Sequence, residues 1–247
     1  MRRLNRPTAA PKTLLNLKMA ADLHAQQQFN RGVKSISFRG HVFGADDVRA
    51  ELDTFHHGKC AYCEAPLRPV TNGHIEHFRP KGGIVDEGTG ALVTPGYYWL
   101  AYSWENLLLA CPRCNSAGNK GNRFPLQDEA GRASPAAKST AREQPLLVDP
   151  AGDYPRRHVR FRREVVYAVQ GSAKGQATIK VLGLEDPFLQ EARREHLEIM
   201  KMCEIVSGWA ANPAAAAEAT LHLAQMRSSA GAFLACAKDS FYLRVRA

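Results

Sequence analysis

The chain has 247 residues, a net charge of +9 and 23% charged residues. At ~150 residues per domain this is one or two domains, large enough to bury a core without disulfides. With 45% hydrophobic residues, a wholly disordered or collagen-like chain is excluded.

The excess charge is uneven. Residues 1–40 hold eight basic residues and one acid, a net of +7, leaving +2 for the rest. Such a balance suggests a polyanionic partner, most simply nucleic acid. The start is basic, but Lys12, Asn16, Lys18 and Asp22 interrupt any apolar signal region. The longest apolar runs, such as Leu107 to Cys111, fall far short of the ~18 residues of a membrane span. A cytoplasmic protein with no membrane partner is expected. In that compartment paired cysteines favour a metal over a disulfide.

In chain order, residues 1–54 read as a basic N-terminal arm with a helical extension. Leu14, Leu15, Leu17, Met19 and Leu23 fit a short amphipathic helix. Residues 46–58 read as a helix that Gly58 stops. Residues 55–126 hold nearly all the chemistry. Residues 127–185 read as a linker and a small β region, with strands near 158–162 and 165–168. Residues 186–247 read as helical. Asp186-Pro187 and Asn212-Pro213 are N-cap and N1 pairs, and a third helix fits Phe233 to Tyr242.

Two CxxC pairs stand out, Cys60–Cys63 and Cys111–Cys114. Four thiolates complete a tetrahedral zinc and leave no open position, so the site is structural and any catalysis lies elsewhere. A redox pair would need a βαβ setting that the pattern does not provide. The remaining Cys203 and Cys236 fall on apolar faces of the predicted helices and read as core residues.

Between the pairs lies His74-Ile75-Glu76-His77-Phe78-Arg79-Pro80-Lys81. Strand alternation sets Glu76 and His77 on opposite faces unless a bend reunites them. An aromatic stretch follows, from Tyr97 to Trp104, then Glu105-Asn106-Leu107, then Cys114-Asn115. The rings suit packing better than base stacking.

In this combination the segment 59–126 resembles the HNH (ββα-metal) endonucleases. The longer phrases resemble one subgroup, the PtuB-like HNH nucleases of Septu and retron antiphage systems. They include Cys-Ala-Tyr-Cys-Glu, Ile-Glu-His-Phe-Arg-Pro-Lys and Gly-Asn-Arg-Phe-Pro-Leu. The resemblance implies an α+β fold with a zinc-stabilised ββα-metal core, and a nuclease of antiphage defence acting with a PtuA-like ATPase. It implies His77 as general base and Asn106 as the residue that orients it. Glu76 and Asn115 become ligands of a catalytic Mg²⁺ or Mn²⁺, with Asn115 opening a helix and Asn119 as its rival. His74 remains a further possible ligand.

Neutral histidine can accept a proton from water near pH 7, and a hard carboxylate suits such an ion. Arg79, Lys81, Lys120 and Arg123 are the candidate phosphate contacts. A looser basic cluster, Arg156, Arg157, Arg160, Arg162 and Arg163, would be split by strand alternation. The substrate expected is nucleic acid, DNA in preference to RNA. The alternative is a non-catalytic zinc-ribbon module that binds nucleic acid or holds a partner, and that has no use for Glu76 and His77.

Overall fold

The computed structural model describes residues 1–241. Seven helices and six strands are present among them. They are α1 (Lys12–Asn30), α2 (Gly40–Phe43), α3 (Asp46–His56), β1 (His74–His77), β2 (Ile84–Val85), β3 (Leu92–Val93) and β4 (Leu107–Ala110). After these come β5 (Val159–Arg162), β6 (Val165–Ala168), α4 (Ala173–Leu182), α5 (Pro187–Ser207), α6 (Pro213–Arg227) and α7 (Leu234–Phe241). None of these helices is long and apolar enough to cross a membrane.

Helix and strand are mixed, and every sheet is an antiparallel pair: β1 with β4, β2 with β3, and β5 with β6. The β1–β4 pair is the centre. All four residues of β4 are buried, as their apolar side chains require. Burying each leucine contributes about 2 kcal/mol. Helix α3 packs on β4, α4 on β6, α7 on β5, and α5 on α6.

One apolar core runs from Met1 to Ala237 and draws residues from all four segments delimited above. Residues 1–54 are therefore packed rather than a free arm. Arg6 reaches inward and donates to Trp104 O at 2.6 Å and Leu107 O at 2.7 Å. Residues 127–152 lack a regular helix or strand beyond one short 3₁₀ turn, yet Leu147 and Val148 are buried.

Several elements follow their local signals. Asp46 and Asp47 occupy the first turn of α3, where the helix dipole favours anions. His57 (φ 56°) and Gly58 (φ 66°) then end it in left-handed geometry. Asp186 accepts from the amides of Phe188 and Leu189, and Asn212 from that of Ala215. The third C-terminal helix forms as α7, while Tyr242 lies outside the described residues.

Other expectations are corrected. Helix α1 is longer than foreseen and buries a different face. Leu14, Ala21 and Ala25 point inward, whereas Leu15, Met19 and Leu23 are exposed. Helix α4 was hidden in the segment read as linker and strands. Its signals are Ser172, which accepts from the Gly175 amide, and Gly183, left-handed at φ 57°.

The helix expected after Cys114 does not form. Residues 115–123 run as turns. The side chains of Ser116 and Asn119 both donate to the Arg113 carbonyl, at 2.9 and 2.8 Å. Gly121 adopts φ 42°. Short polar side chains that bond their own backbone compete with a helix, and here they win. Of the expected ββα arrangement, an antiparallel strand pair is present and the helix is absent among the described residues.

Candidate functional site

The two CxxC pairs come together. One ligand atom from each of Cys60, Cys63, Cys111 and Cys114 lies within 4.8 Å of the others. The Cys63 and Cys111 sulfurs are 3.8 Å apart. Sulfurs at ~2.3 Å from a tetrahedral zinc are ~3.8 Å from one another, so the donor set fits that ion. Each knuckle is closed locally. Glu64, left-handed at φ 63°, turns the first, and its amide donates to Cys60 O at 3.1 Å. The Cys114 amide points at Cys111 Sγ at 3.4 Å. Hydrogen bonds from Cys114, Cys60 and Cys63 hold the Cys111 thiol far below its ordinary value. The Cys63 and Cys114 thiols are pushed the other way, well up, by the hydrogen bonds they share with Cys111. Among the described residues this is the one cluster of three or more His, Cys, Asp or Glu groups suited to a metal. Of the remaining cysteines, Cys236 is buried and Cys203 partly so.

The second feature is a cleft of about 560 Å³ beside β1. Its lining includes Glu76, His77, Lys81 and Asn115, together with Ile36 and Phe38. Glu76 and His77 share it although they are neighbours in a strand. His77 is the last residue of β1, so the chain is free to turn there.

His77 is only 5% exposed. Its Nε2 lies 2.9 Å from the Ala101 carbonyl. A carbonyl only accepts, so Nε2 carries the hydrogen and Nδ1 keeps its lone pair. Lys81 Nζ lies 3.4 Å from Nδ1. Burial first, and Lys81 second, hold the imidazole well below its ordinary pKa. It is neutral at physiological pH. Phe43 meets the ring edge-on at 4.9 Å.

Asn106 is 4% exposed and acts as a clamp. Its Oδ1 accepts from the Arg79 amide at 2.8 Å, and its Nδ2 donates to Arg79 O at 3.0 Å and Leu100 O at 3.2 Å. The backbone joins in, since Phe78 N donates to Asn106 O at 2.9 Å. The chain leaving His77 is thereby pinned to the turn before β4. Gly96 allows this crowding, because a Cβ there would sit 2.3 Å from Pro80 O.

The expected ligands separate. Asn115 lines the cleft, and its amide lies 3.5 Å from His74 Nδ1. Asn119 faces away, toward Gly183, where a Cβ would meet its Oδ1 at 2.3 Å. Of the two, Asn115 is the one that lines the cleft. Glu76 is 3% exposed, and its Oε1 is held by the Lys120 ammonium. A carboxylate and an amide oxygen are the hard donors that Mg²⁺ and Mn²⁺ take, with waters and a substrate phosphate completing the shell. The pair fits such an ion, with one competitor. The Lys120 ammonium sits against Glu76 Oε1.

That contact corrects one sequence expectation. Lys120, proposed as a phosphate contact, is 0% exposed. It pairs with Glu76 and donates to His77 O at 3.0 Å. Arg79 is likewise engaged, by Glu143 Oε2 at 2.7 Å. Arg123 donates to the carbonyls of Gly118 and Asn119. Of the four cations, only Lys81 lines the cleft. The aromatic stretch packs as expected. Tyr97, Tyr98, Tyr102 and Trp104 are at most 3% exposed.

Sequence reasoning missed Phe43 and Glu143. Glu143 ties Arg79, the Tyr97 hydroxyl (2.7 Å) and the Ala133 amide (3.0 Å) together. Neither residue stands near a motif, and no local signal marks them.

Comparison with known proteins adds to this geometry. No protein-family model matches the chain. It is 39% identical over 161 residues to Septu protein PtuB of Bacillus mycoides (strain KBAB4), a match covering 65% of this chain and 54% of that protein. It is 31% identical over 158 residues to Septu protein PtuA of the same organism, covering 63% of this chain and 22% of that protein. Septu protein PtuB of Bacillus thuringiensis is 28% identical over 145 residues, covering 58% of this chain and 43% of that protein. The chain thus matches about half the length of the curated PtuB proteins.

Proposed function

We propose that this chain is the nuclease of a Septu-type antiphage system, an HNH endonuclease that hydrolyses phosphodiester bonds with a divalent metal ion. The observation that carries the reading is the neutral, fixed imidazole of His77, sharing one cleft with Glu76 and Asn115. Similarity to Septu proteins PtuB and PtuA supports the defence setting. A PtuA-like ATPase partner and a cytoplasmic place of action belong to the same proposal.

In this mechanism His77 Nδ1 takes the proton of the attacking water. Ala101 O keeps the ring in the required tautomer and orientation. Asn106 holds the loop that carries the base. Glu76 and Asn115 would hold Mg²⁺ or Mn²⁺, which when bound offsets charge on the phosphate and on the leaving oxygen. Lys81 moves from Nδ1 to the incoming phosphate and frees the lone pair. The four cysteines hold a structural zinc that joins the two knuckles flanking β1 and β4, so the cleft depends on it indirectly.

A second reading, a non-catalytic zinc subunit that binds nucleic acid or a partner, is favoured by one observation. The Lys120 ammonium occupies the carboxylate that the catalytic ion needs. One assay separates the two. Cleavage of plasmid and RNA is measured for wild type and His77→Ala, with Mg²⁺, Mn²⁺ or chelator, with and without the ATPase. The nuclease reading expects metal-dependent cleavage that falls at least about 100-fold in His77→Ala. Equal cleavage in the two proteins sinks the role of His77. Binding without cleavage under every condition selects the second reading.

A further inference from the structure

Basic residues from three distant parts of the chain meet on one surface that shares no lining residue with the His77 cleft. There, a second cleft of about 280 Å³ is lined by Arg2, Arg3, Tyr154, Arg156 and Lys238, with no acidic side chain in its lining. Arg2 and Arg3 belong to the basic first 40 residues, and Arg156 to the 156–163 cluster. The 3₁₀ turn Pro155–Arg157 and helix α7 bring them together.

The charges there are held in place and largely uncompensated. The Arg3 guanidinium lies 3.9 Å from the centre of the Tyr154 ring, and that of Arg157 lies 4.9 Å from it. Tyr154 itself is exposed. Stacking on an aromatic face orients a guanidinium while leaving its N–H edge open to an anion. Among the described residues, no carboxylate pairs with Arg3, Arg157 or Lys238, and all three are exposed. The nearby acid, Asp239, is buried and already engaged by Arg156 and Arg160, at 2.8 and 2.9 Å. It anchors the basic turn and does not face the cleft.

We propose that this surface binds the phosphate backbone of a nucleic acid, as an exosite that holds the strand while the His77 cleft acts on it. Several open cations spread over one surface suit a repeating anion. Oriented guanidinium forks match phosphate oxygens two at a time. Contacts to phosphate carry no base information, so such a surface does not select sequence. The inference rests on the nuclease reading for the action at His77, and on this surface alone for the binding.

The test uses the full chain, a short labelled duplex and a labelled single strand, read by fluorescence anisotropy between about 50 and 200 mM salt. No divalent ion is added, so cleavage does not interfere. The variant is Arg3→Gln/Arg157→Gln/Lys238→Gln. The control is Lys12→Gln/Arg31→Gln/Lys34→Gln, three exposed cations outside this cleft that remove the same net charge. Each lost phosphate contact removes about 0.9 from the slope of log affinity against log salt. The variant is expected to lose 2 to 3 slope units and about 10- to 100-fold in affinity at physiological salt. The control changes far less.

Equal losses in variant and control overturn the proposal and leave only a net-charge effect. Unchanged nucleic-acid binding with lost capture of a PtuA-like partner overturns it in favour of a protein dock. Cleavage is scored separately on the wild type. Weakened binding with no cleavage keeps the phosphate-binding surface and sinks the nuclease. Cleavage with unaltered binding does the reverse.

Discussion

Replacing Lys120 by methionine tests the ion pair at the centre of the candidate site. Lys120 and Glu76 are 0% and 3% exposed, so neither charge has water to fall back on. Lys120→Met keeps most of the buried volume and removes only the ammonium. It leaves a buried carboxylate with no counter-charge, and His77 O without its donor at 3.0 Å. Breaking a buried pair from one side costs about 3 to 5 kcal/mol. At about 2 to 4 °C per kcal/mol for a chain of this size, the midpoint falls by about 6 to 20 °C. Adding Glu76→Gln removes the orphan charge and should return at least about 2 kcal/mol. The assay is equilibrium urea unfolding of both single variants and the double, with zinc saturating and zinc content measured in each. A Lys120→Met cost below about 1 kcal/mol refutes the buried pair, as does a double variant no better than the sum of the singles. Because the readout is stability, this cycle is independent of whether the site cuts anything.

The other predictions concern the metal, the acid range and the loop clamp. Cys111→Ser is expected to lose bound zinc and soluble yield together, measured by metal analysis of the purified protein, because three thiolates leave the buried site open. His56 is buried, and its pKa is lowered to about 3, first by desolvation and then by Arg6. The unfolded chain therefore takes up the proton first as the pH falls, so this contribution to stability is complete above pH 6.5 and is lost below it. His56→Gln should narrow the stability gap to wild type by about 2 kcal/mol between pH 7 and pH 5, by urea unfolding at both pH values. An unchanged gap contradicts a neutral buried imidazole. Asn106→Ala leaves the Arg79 amide and two carbonyls without partners and should cost about 2 to 3 kcal/mol. Asn106→Asp keeps the acceptor for the Arg79 amide but sets a buried carboxylate oxygen against the Arg79 and Leu100 carbonyls, and should cost more than Asn106→Ala in thermal unfolding.

The chemistry-bearing residues were legible as sequence because each signal is short-range. Two residues between cysteines suffice to turn a knuckle, and the pairs do meet at one point. Asp186 and Asn212 announced their helices because a cap acts within three residues. The β5–β6 pair and helix α3 followed from local pattern in the same way. What misled was also local. The leucines of α1 suggested a buried face, yet tertiary packing turned Leu14, Ala21 and Ala25 inward instead.

The fate of each charge was decided only in three dimensions. In the sequence Lys120, Arg79 and Lys81 are alike. In the fold, Lys120 is buried on Glu76, Arg79 is tied to Glu143, and Lys81 is left beside His77. Nothing within a few residues of Lys120 indicates that Glu76, 44 positions away, will claim it. The same holds for the net charge of +9. Its sign was evident from composition and suggested a polyanion. That Arg2, Arg3, Arg156 and Lys238 share one cleft was not, because that depends on residues 2–3, 154–156 and 238 meeting across the core. Coordination and capping are contacts between near neighbours, so a sequence carries them openly. Pairing and exposure depend on which distant segments a packed core brings together, and only the tertiary structure holds that information.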